Sequence, residues 1–246
     1  MWRSTINGRA AERIARNLAE VRERIAAAAA ASGRNAEAVR LVAVTKYVDA
    51  ATTRLLVEAG CRDLGESRPQ SLWDKAAALA NCDVRWHMIG HLQRNKVRRT
   101  LPLVHLLHSG DSLRLLSEID AEAAALAAPL SVLLEVNISG DSSKHGFAPT
   151  EMEPLLAHLQ SLRRLDIRGL MAMAGLEGDA AQARRDFAAL RELRDRLRTV
   201  WHGRFALDEL SMGMSGDFEA AIAEGATIVR IGSALFEGVD NTHASP

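Results

Sequence analysis

Eight short apolar runs, separated by seven stretches with helical spacing, constrain the fold of this chain more than any other feature. The runs are Leu41–Thr45, Arg62–Gly65, Val84–Ile89, Val104–Leu107, Ser131–Asn137, Asp166–Met171, Glu209–Met212 and Thr227–Ile231. Leu41-Val42-Ala43-Val44-Thr45 is apolar on both pleat faces, the pattern of a strand with helices on one side and core on the other. Between the runs lie helical stretches near Ala51–Ala59, Pro69–Leu79, Leu92–Arg99, Leu113–Ala127, Glu151–Leu162, Ala180–Trp201 and Asp217–Glu224. A longer one, about Asn7 to Ala31, comes first, and its alanine run Ala26–Ala31 reads as helix rather than linker. This alternation predicts an α/β fold, a single closed (β/α)8 barrel of TIM type with an extra N-terminal helix, residues 1–246 forming one domain. A doubly wound open sheet is the competitor. It would show a glycine-rich dinucleotide turn after the first strand, whereas that strand ends in Thr45-Lys46-Tyr47.

Charge excludes some partners. Lysine plus arginine and aspartate plus glutamate number 31 each, so no overall field draws a polyanion, and a nucleic-acid partner is not expected. The local patch Arg94-Asn95-Lys96-Val97-Arg98-Arg99 reads as a solvated helix end. Two cysteines, Cys61 and Cys82, have neither metal-ligand spacing nor a disulfide framework and suit a reducing cytoplasm. No apolar run reaches membrane-spanning length and no signal-peptide core is present, so a cytoplasmic protein without a membrane partner is expected. A monomer is the expected state.

In a barrel of this kind the carboxyl ends of the strands form the active face. Those ends are polar here: Lys46, Glu66-Ser67, His87 with Gly90-His91, His108-Ser109, Asn137 with Ser139, Met171 with Met173, Ser211 with Ser215, and Arg230 with Gly232-Ser233. So many together point to a ligand site. Leu210-Ser211-Met212-Gly213-Met214-Ser215-Gly216-Asp217 runs from strand to helix through hydroxyls and glycines, where backbone amides can meet a phosphate. The next strand ends in Gly232-Ser233, a second set of amides at the position where many barrels bind phosphate. Arg230 interrupts an otherwise buried strand and shares a face with Ile228 and Gly232, which puts a guanidinium at the mouth in need of an acceptor. Lys46 ends the first strand, which pairs with the eighth on closure. Amine, arginine and phosphate cradle thus converge, and pyridoxal 5′-phosphate (PLP) is the commonest ligand for such a set. A barrel holding another phosphorylated metabolite, with Lys46 as an ion-pair partner, is the non-PLP alternative.

These residues lie in segments that resemble the YggS/PROSC family of pyridoxal phosphate homeostasis proteins. The similar segments are Leu41 to Lys46, Gly65-Glu66, Trp86 to Lys96, Val136-Asn137-Ile138 with Ser143-Lys144-His145-Gly146, Arg168 to Met171, Leu210 to Ser215, and Val229 to Ser233. They span nearly the whole chain in order. The resemblance implies a barrel like the N-terminal domain of alanine racemase, a PLP fold of type III. It implies Lys46 as the Schiff-base lysine, Arg230 facing the pyridine nitrogen, Ser211, Gly213, Ser215, Gly232 and Ser233 around the phosphate, and His87 and Asn137 lining the site. Ser67-Arg68 stand where the family usually has Asn-Tyr, and His91 where it usually has proline.

The implied function is intracellular PLP homeostasis, holding and releasing the cofactor, with PLP-requiring apo-enzymes as recipients and no strong enzymatic activity. A permanently charged donor at the pyridine nitrogen weakens the electron sink. Racemisation also needs a second base, and the chain has one tyrosine, Tyr47, which strand alternation points away from Lys46. A PLP-dependent racemase-like enzyme is the alternative, with Cys82, His87 or His91 as substitute bases. Met171-Ala172-Met173 reads as barrel filling, Arg184 to Arg198 as a solvated helix face, and Trp2, Trp73 and Trp201 as packing residues.

Overall fold

In the computed structural model all eight expected strands form, and they close into a barrel in sequence order with every pairing parallel. The structure describes residues 2–141, 145–175 and 179–239, with side chains from residue 8 onward. The expected packing role of Trp2 and the motif residues Ser143 and Lys144 lie outside the described side chains. The strands are β1 (Arg40–Val44), β2 (Asp63–Glu66), β3 (Arg85–Met88), β4 (Val104–Gly110), β5 (Leu130–Glu135), β6 (Leu165–Met171), β7 (Glu209–Ser211) and β8 (Ile228–Ile231). The helices are α1 (Trp2–Ala31), α2 (Ala50–Glu58), α3 (Pro69–Ala78), α4 (Val97–Thr100), α5 (Leu113–Glu122), α6 (Met152–Leu159), α7 (Ala180–Val200) and α8 (Phe218–Ala223).

Short polar side chains start several helices by taking up backbone amides that have no partner in the first turn. Asp49 accepts from Thr52 N at 2.7 Å, Ser112 from Leu115 N at 3.4 Å and Asp179 from Gln182 N at 2.8 Å. The stretch Leu92–Arg99 differs from expectation. Gln93 is extended, a 3-10 turn covers Arg94–Lys96, and α4 lasts one turn before Pro102 stops it. Strand β4 is longer than expected because His108 and Ser109, polar yet buried, continue the ladder to Gly110.

The strands bury two faces. Outward-facing Ala43, Leu64, Leu107, Leu134, Leu170 and Ile231 join the helices in one large core. The inward face is small: Val42, Leu106, Leu133, Met171 and Ile228 fill the barrel, as expected for Met171. Each such side chain taken from water contributes roughly 1.5–3 kcal/mol. Helix α1 presents Ile14, Leu18, Val21, Ile25 and Ala29, one buried stripe at helical spacing, and packs against α2, α8 and the 3-10 turn after β8. Its Asn17 side-chain amide donates to Leu235 O (3.2 Å) and Glu237 O (2.9 Å), fastening the segment that follows β8. Helix α7 is less solvated than its charges suggest. Arg184 and Arg191 both grip the buried carboxylate of Glu224, and Asp186 is buried against Gly175 N (3.0 Å).

Candidate functional site

The register of β1 with β8 sets Val42 beside Arg230, and Gly232 follows at the level of Val44: a Cβ built on Gly232 would lie 3.4 Å from that of Val44. Lys46 lies two residues past the end of β1, at the carboxyl-end mouth, with its side chain exposed. No carboxylate among the described residues pairs with its ammonium, which lies 4.8 Å from the ring centroid of Tyr47. That proximity corrects the expectation from alternation. The chain turns at once after β1, Val48 N bonding Thr45 O at 3.0 Å, so Tyr47 no longer follows the strand period and its exposed ring stays near the amine.

The residue before Lys46 is pinned from beneath. Buried Lys75 on α3 donates to Thr45 O (2.7 Å) and to Glu66 Oε1 (2.5 Å), and Thr45 Oγ1 donates to the same carboxylate oxygen at 2.6 Å. Glu66, one of the polar strand ends, therefore turns outward to α3 and anchors the backbone that carries Lys46.

The loops after β7 and β8 form a cradle of amides. Gly213 has φ +91°, and a Cβ there would lie 2.6 Å from Ala221 Cβ, so only glycine lets the strand end turn this close to α8. Asp217 accepts from Met214 N (2.5 Å), and Ser215 Oγ accepts from Gly232 N (3.2 Å), which ties one loop to the other. Among the described residues the amides of Ser215, Gly216, Ser233 and Ala234 have no protein acceptor, and Ser233 is exposed. Four amides without an acceptor on two loops joined in this way suit a phosphate. Asn137, on the far side of the mouth, braces its own loop, donating to Asp141 O at 2.7 Å and accepting from Ser139 at 3.4 Å.

Arg230 is buried. Its guanidinium donates to Ser211 O (2.8 Å), Ser211 Oγ (2.7 Å) and Ala172 O (3.1 Å). Burial lowers its pKa to about 10, opposed by the charges of Glu135 and Asp217, so it remains a cation at neutral pH. From Ser211 a chain of hydrogen bonds descends through the barrel: to His108 Nδ1 (2.8 Å), from His108 Nε2 to His87 Nδ1 (2.9 Å), and from His87 Nε2 to Asp63 Oδ1 (3.0 Å). Arg85 closes the far end on Asp63 at 2.8 and 2.5 Å. With both rings neutral the carboxylate end fixes the protons above it: Asp63 can only accept, so His87 donates to Asp63, His108 to His87 and Ser211 to His108, while Arg230 donates to Ser211. Each histidine then carries one proton. Burial, the largest influence on both, lowers the pKa of His87 and takes that of His108 well below the usual value, which keeps both rings neutral. Burial alone would raise Asp63, but its hydrogen bonds from His87 and Arg85 outweigh that and hold it well below the ordinary range.

This geometry relocates two expected site residues. His87 is fully buried and points toward the amino-end of the barrel, a layer beneath the mouth. The Ser211 hydroxyl, expected beside a phosphate, is engaged by Arg230 and His108. His108, read as a strand-end residue, joins the same chain. Asp63 had drawn no notice, although an acid near the start of a buried strand was a legible signal.

Across the mouth from β8, His91, Asp111 and His145 form a second polar group. Burial, with the nearby Asp111, pushes the neighbouring Glu135 carboxyl up to about 7. Gly90 is required where it stands, since a Cβ would meet Ser67 O at 2.4 Å, and Gly90 O accepts from Ser109 at 2.6 Å.

Comparison with known proteins shows the family and the fold. The model of the alanine racemase N-terminal domain matches residues 11–239. The pyridoxal phosphate homeostasis protein of Pseudomonas aeruginosa is 43% identical over 227 residues, covering 92% of this chain and 96% of that one. The protein of the same name from Escherichia coli is 38% identical over 230 residues, covering 92% and 97%. The structure of PipY from Synechococcus elongatus with PLP bound has a TM-score of 0.81 at 36% identity and covers 91% of this chain and 99% of that one. An alanine racemase from Clostridium difficile, 15% identical with a TM-score of 0.70, shares the fold over 91% of this chain and 56% of its own.

Proposed function

The chain belongs to the alanine racemase N-terminal domain family and, within it, to the pyridoxal phosphate homeostasis proteins; on that footing we propose that it binds PLP where β7, β8 and β1 meet at the mouth, holding and releasing the cofactor without efficient catalysis of its own. One observation carries this reading: an exposed amine without a carboxylate partner stands beside four amides without acceptors. Bound PLP supplies an aldehyde carbon that an amine can capture covalently. Lys46 offers that amine, and the Thr45–Glu66–Lys75 contacts hold its backbone in place. The amides of Ser215, Gly216, Ser233 and Ala234 hold the phosphate, with Gly213 and Gly232 leaving room for it. Arg230 serves the pyridine nitrogen. It remains a donor because Ser211 and Ala172 orient it, and a fixed cation there disfavours a proton on the ring nitrogen. His87 acts at a distance, through His108 and Ser211. PLP-requiring apo-enzymes are the recipients we infer.

No described helix is long and apolar enough to cross a membrane. We place the protein in the cytoplasm, a reading supported by the unpaired thiols of Cys61 and Cys82.

The test is uptake of PLP followed by absorbance, then borohydride reduction and mass spectrometry of the peptide that contains Lys46. Reduction attaches the cofactor to Lys46 in the wild type and leaves no adduct in Lys46→Ala. Absence of PLP uptake by the wild type rejects the proposal. The nearness of Tyr47 to Lys46 favours one second reading, a racemase that uses Tyr47 as a base. Exchange of the α-proton of amino acids in deuterated water, abolished by Tyr47→Phe, would establish it.

A further inference from the structure

On the β3–β5 side of the mouth, opposite β8, three side chains with ligating atoms meet outside the residues assigned to PLP. His91 follows β3, Asp111 follows β4, and His145 lies in the loop after β5. One ligand atom from each falls within 4.8 Å of the other two. His91 Nδ1 is 2.6 Å from Asp111 Oδ2, and the His91 and His145 rings stack with centroids 4.8 Å apart and planes 17° from parallel. Two imidazoles are thus brought to one carboxylate.

The carboxylate provides the independent observation. Only 3% of the Asp111 side chain is exposed, and Oδ1 is buried without a hydrogen-bond partner. A buried carboxylate oxygen left without a donor is costly. The carboxyl end of β5 adds Glu135, a second acid facing Asp111 and His91. Two acids and two imidazoles at one point make a donor set that a divalent cation would satisfy.

We propose that His91, Asp111 and His145 bind a divalent transition-metal ion of the zinc type at the barrel mouth. Two imidazole nitrogens and one carboxylate are a common zinc ligand set and leave a position for water or for Glu135. Ligand atoms around zinc lie about 3.3 Å apart, given bonds of about 2.0–2.1 Å. Rotation of the two exposed histidine side chains brings the present spacing, 4.8 Å or less, to that value, and the His91–Asp111 pair opens from its 2.6 Å hydrogen bond as the cation takes that bond's place. The proposal rests on this geometry alone and does not depend on PLP.

The experiment is calorimetric titration of the untagged full chain, stripped of metal by chelation, with zinc chloride. The wild type is expected to bind one zinc per chain. His145→Ala and Asp111→Asn are expected to weaken binding about tenfold or more. His202→Ala, an exposed histidine elsewhere, is expected to leave it unchanged. Failure of the wild type to take up one equivalent overturns the proposal, as does equal affinity in His145→Ala. His145 is exposed, so its removal leaves the fold intact and decides the question even if Asp111→Asn does not fold.

Discussion

Replacing His108 by glutamine keeps a donor and an acceptor inside the barrel and removes a titration, which makes it a direct test of the neutral hydrogen-bond chain. His87 and His108 are buried, and their folded pKa values lie below the unfolded value. The unfolded state therefore binds more protons as pH drops through about 6.5, and the fold loses stability on acidification. An imidazole that ionises only on unfolding costs the fold about 1.4 kcal/mol at pH 5.5 relative to pH 8. His108 is such a group, and His108→Gln removes its contribution. Glu135 acts in the opposite sense over the same interval. Its folded pKa is raised to about 7, so protonation there stabilises the fold as pH drops. That contribution is shared by both proteins and cancels in the comparison. Asp63, held low, loses its contribution only below about pH 4. The assay is urea unfolding of cofactor-free wild type and His108→Gln at pH 8 and pH 5.5, followed by circular dichroism. The variant is expected to lose about 1.4 kcal/mol less than the wild type over that interval. Equal losses in the two proteins would refute the neutral chain, and with it the assignment of protons from Arg230 down to Asp63.

Two further substitutions probe the supports of the mouth. Gly213→Ala forces a Cβ to 2.6 Å from Ala221 Cβ at a left-handed backbone position and is expected to cost about 2–4 kcal/mol in urea unfolding, with weaker PLP uptake. Lys75→Ala leaves Glu66 buried without its cation and is expected to cost about 3–5 kcal/mol, a loss that Lys75→Ala combined with Glu66→Gln partly restores.

The architecture was largely legible because its signal is periodic. Runs apolar on both faces must be covered on both sides, and β1, β6 and β8 fall within a residue of their expected bounds. Where pattern reading fell short, polar residues were inside. His108 and Ser109 looked like the end of β4, because alternation reports which face a residue is on but not its depth along the barrel. Only the register between neighbouring strands places His87, His108 and Ser211 on one descending line. Hydrogen-bond partners from five different strands share no sequence spacing, so Asp63 could not be joined to Arg230 from the sequence. Tyr47 shows the reverse limit: a period applies only while the strand lasts, and β1 ends before it does.

The seam between β1 and β8 also sets how the chain can fold. Arg40 pairs with Ile228, and Asn17 reaches Leu235 across 218 residues, so the first and last elements depend on each other for closure. Contacts of such separation carry a large loop-closure penalty and slow the search for the native state. During synthesis every strand before the last emerges with an open edge, and the lock formed by α1 has nothing to hold until β8 is released. Closure of the barrel thus waits for β8, and the two sides of the cradle cannot form separately.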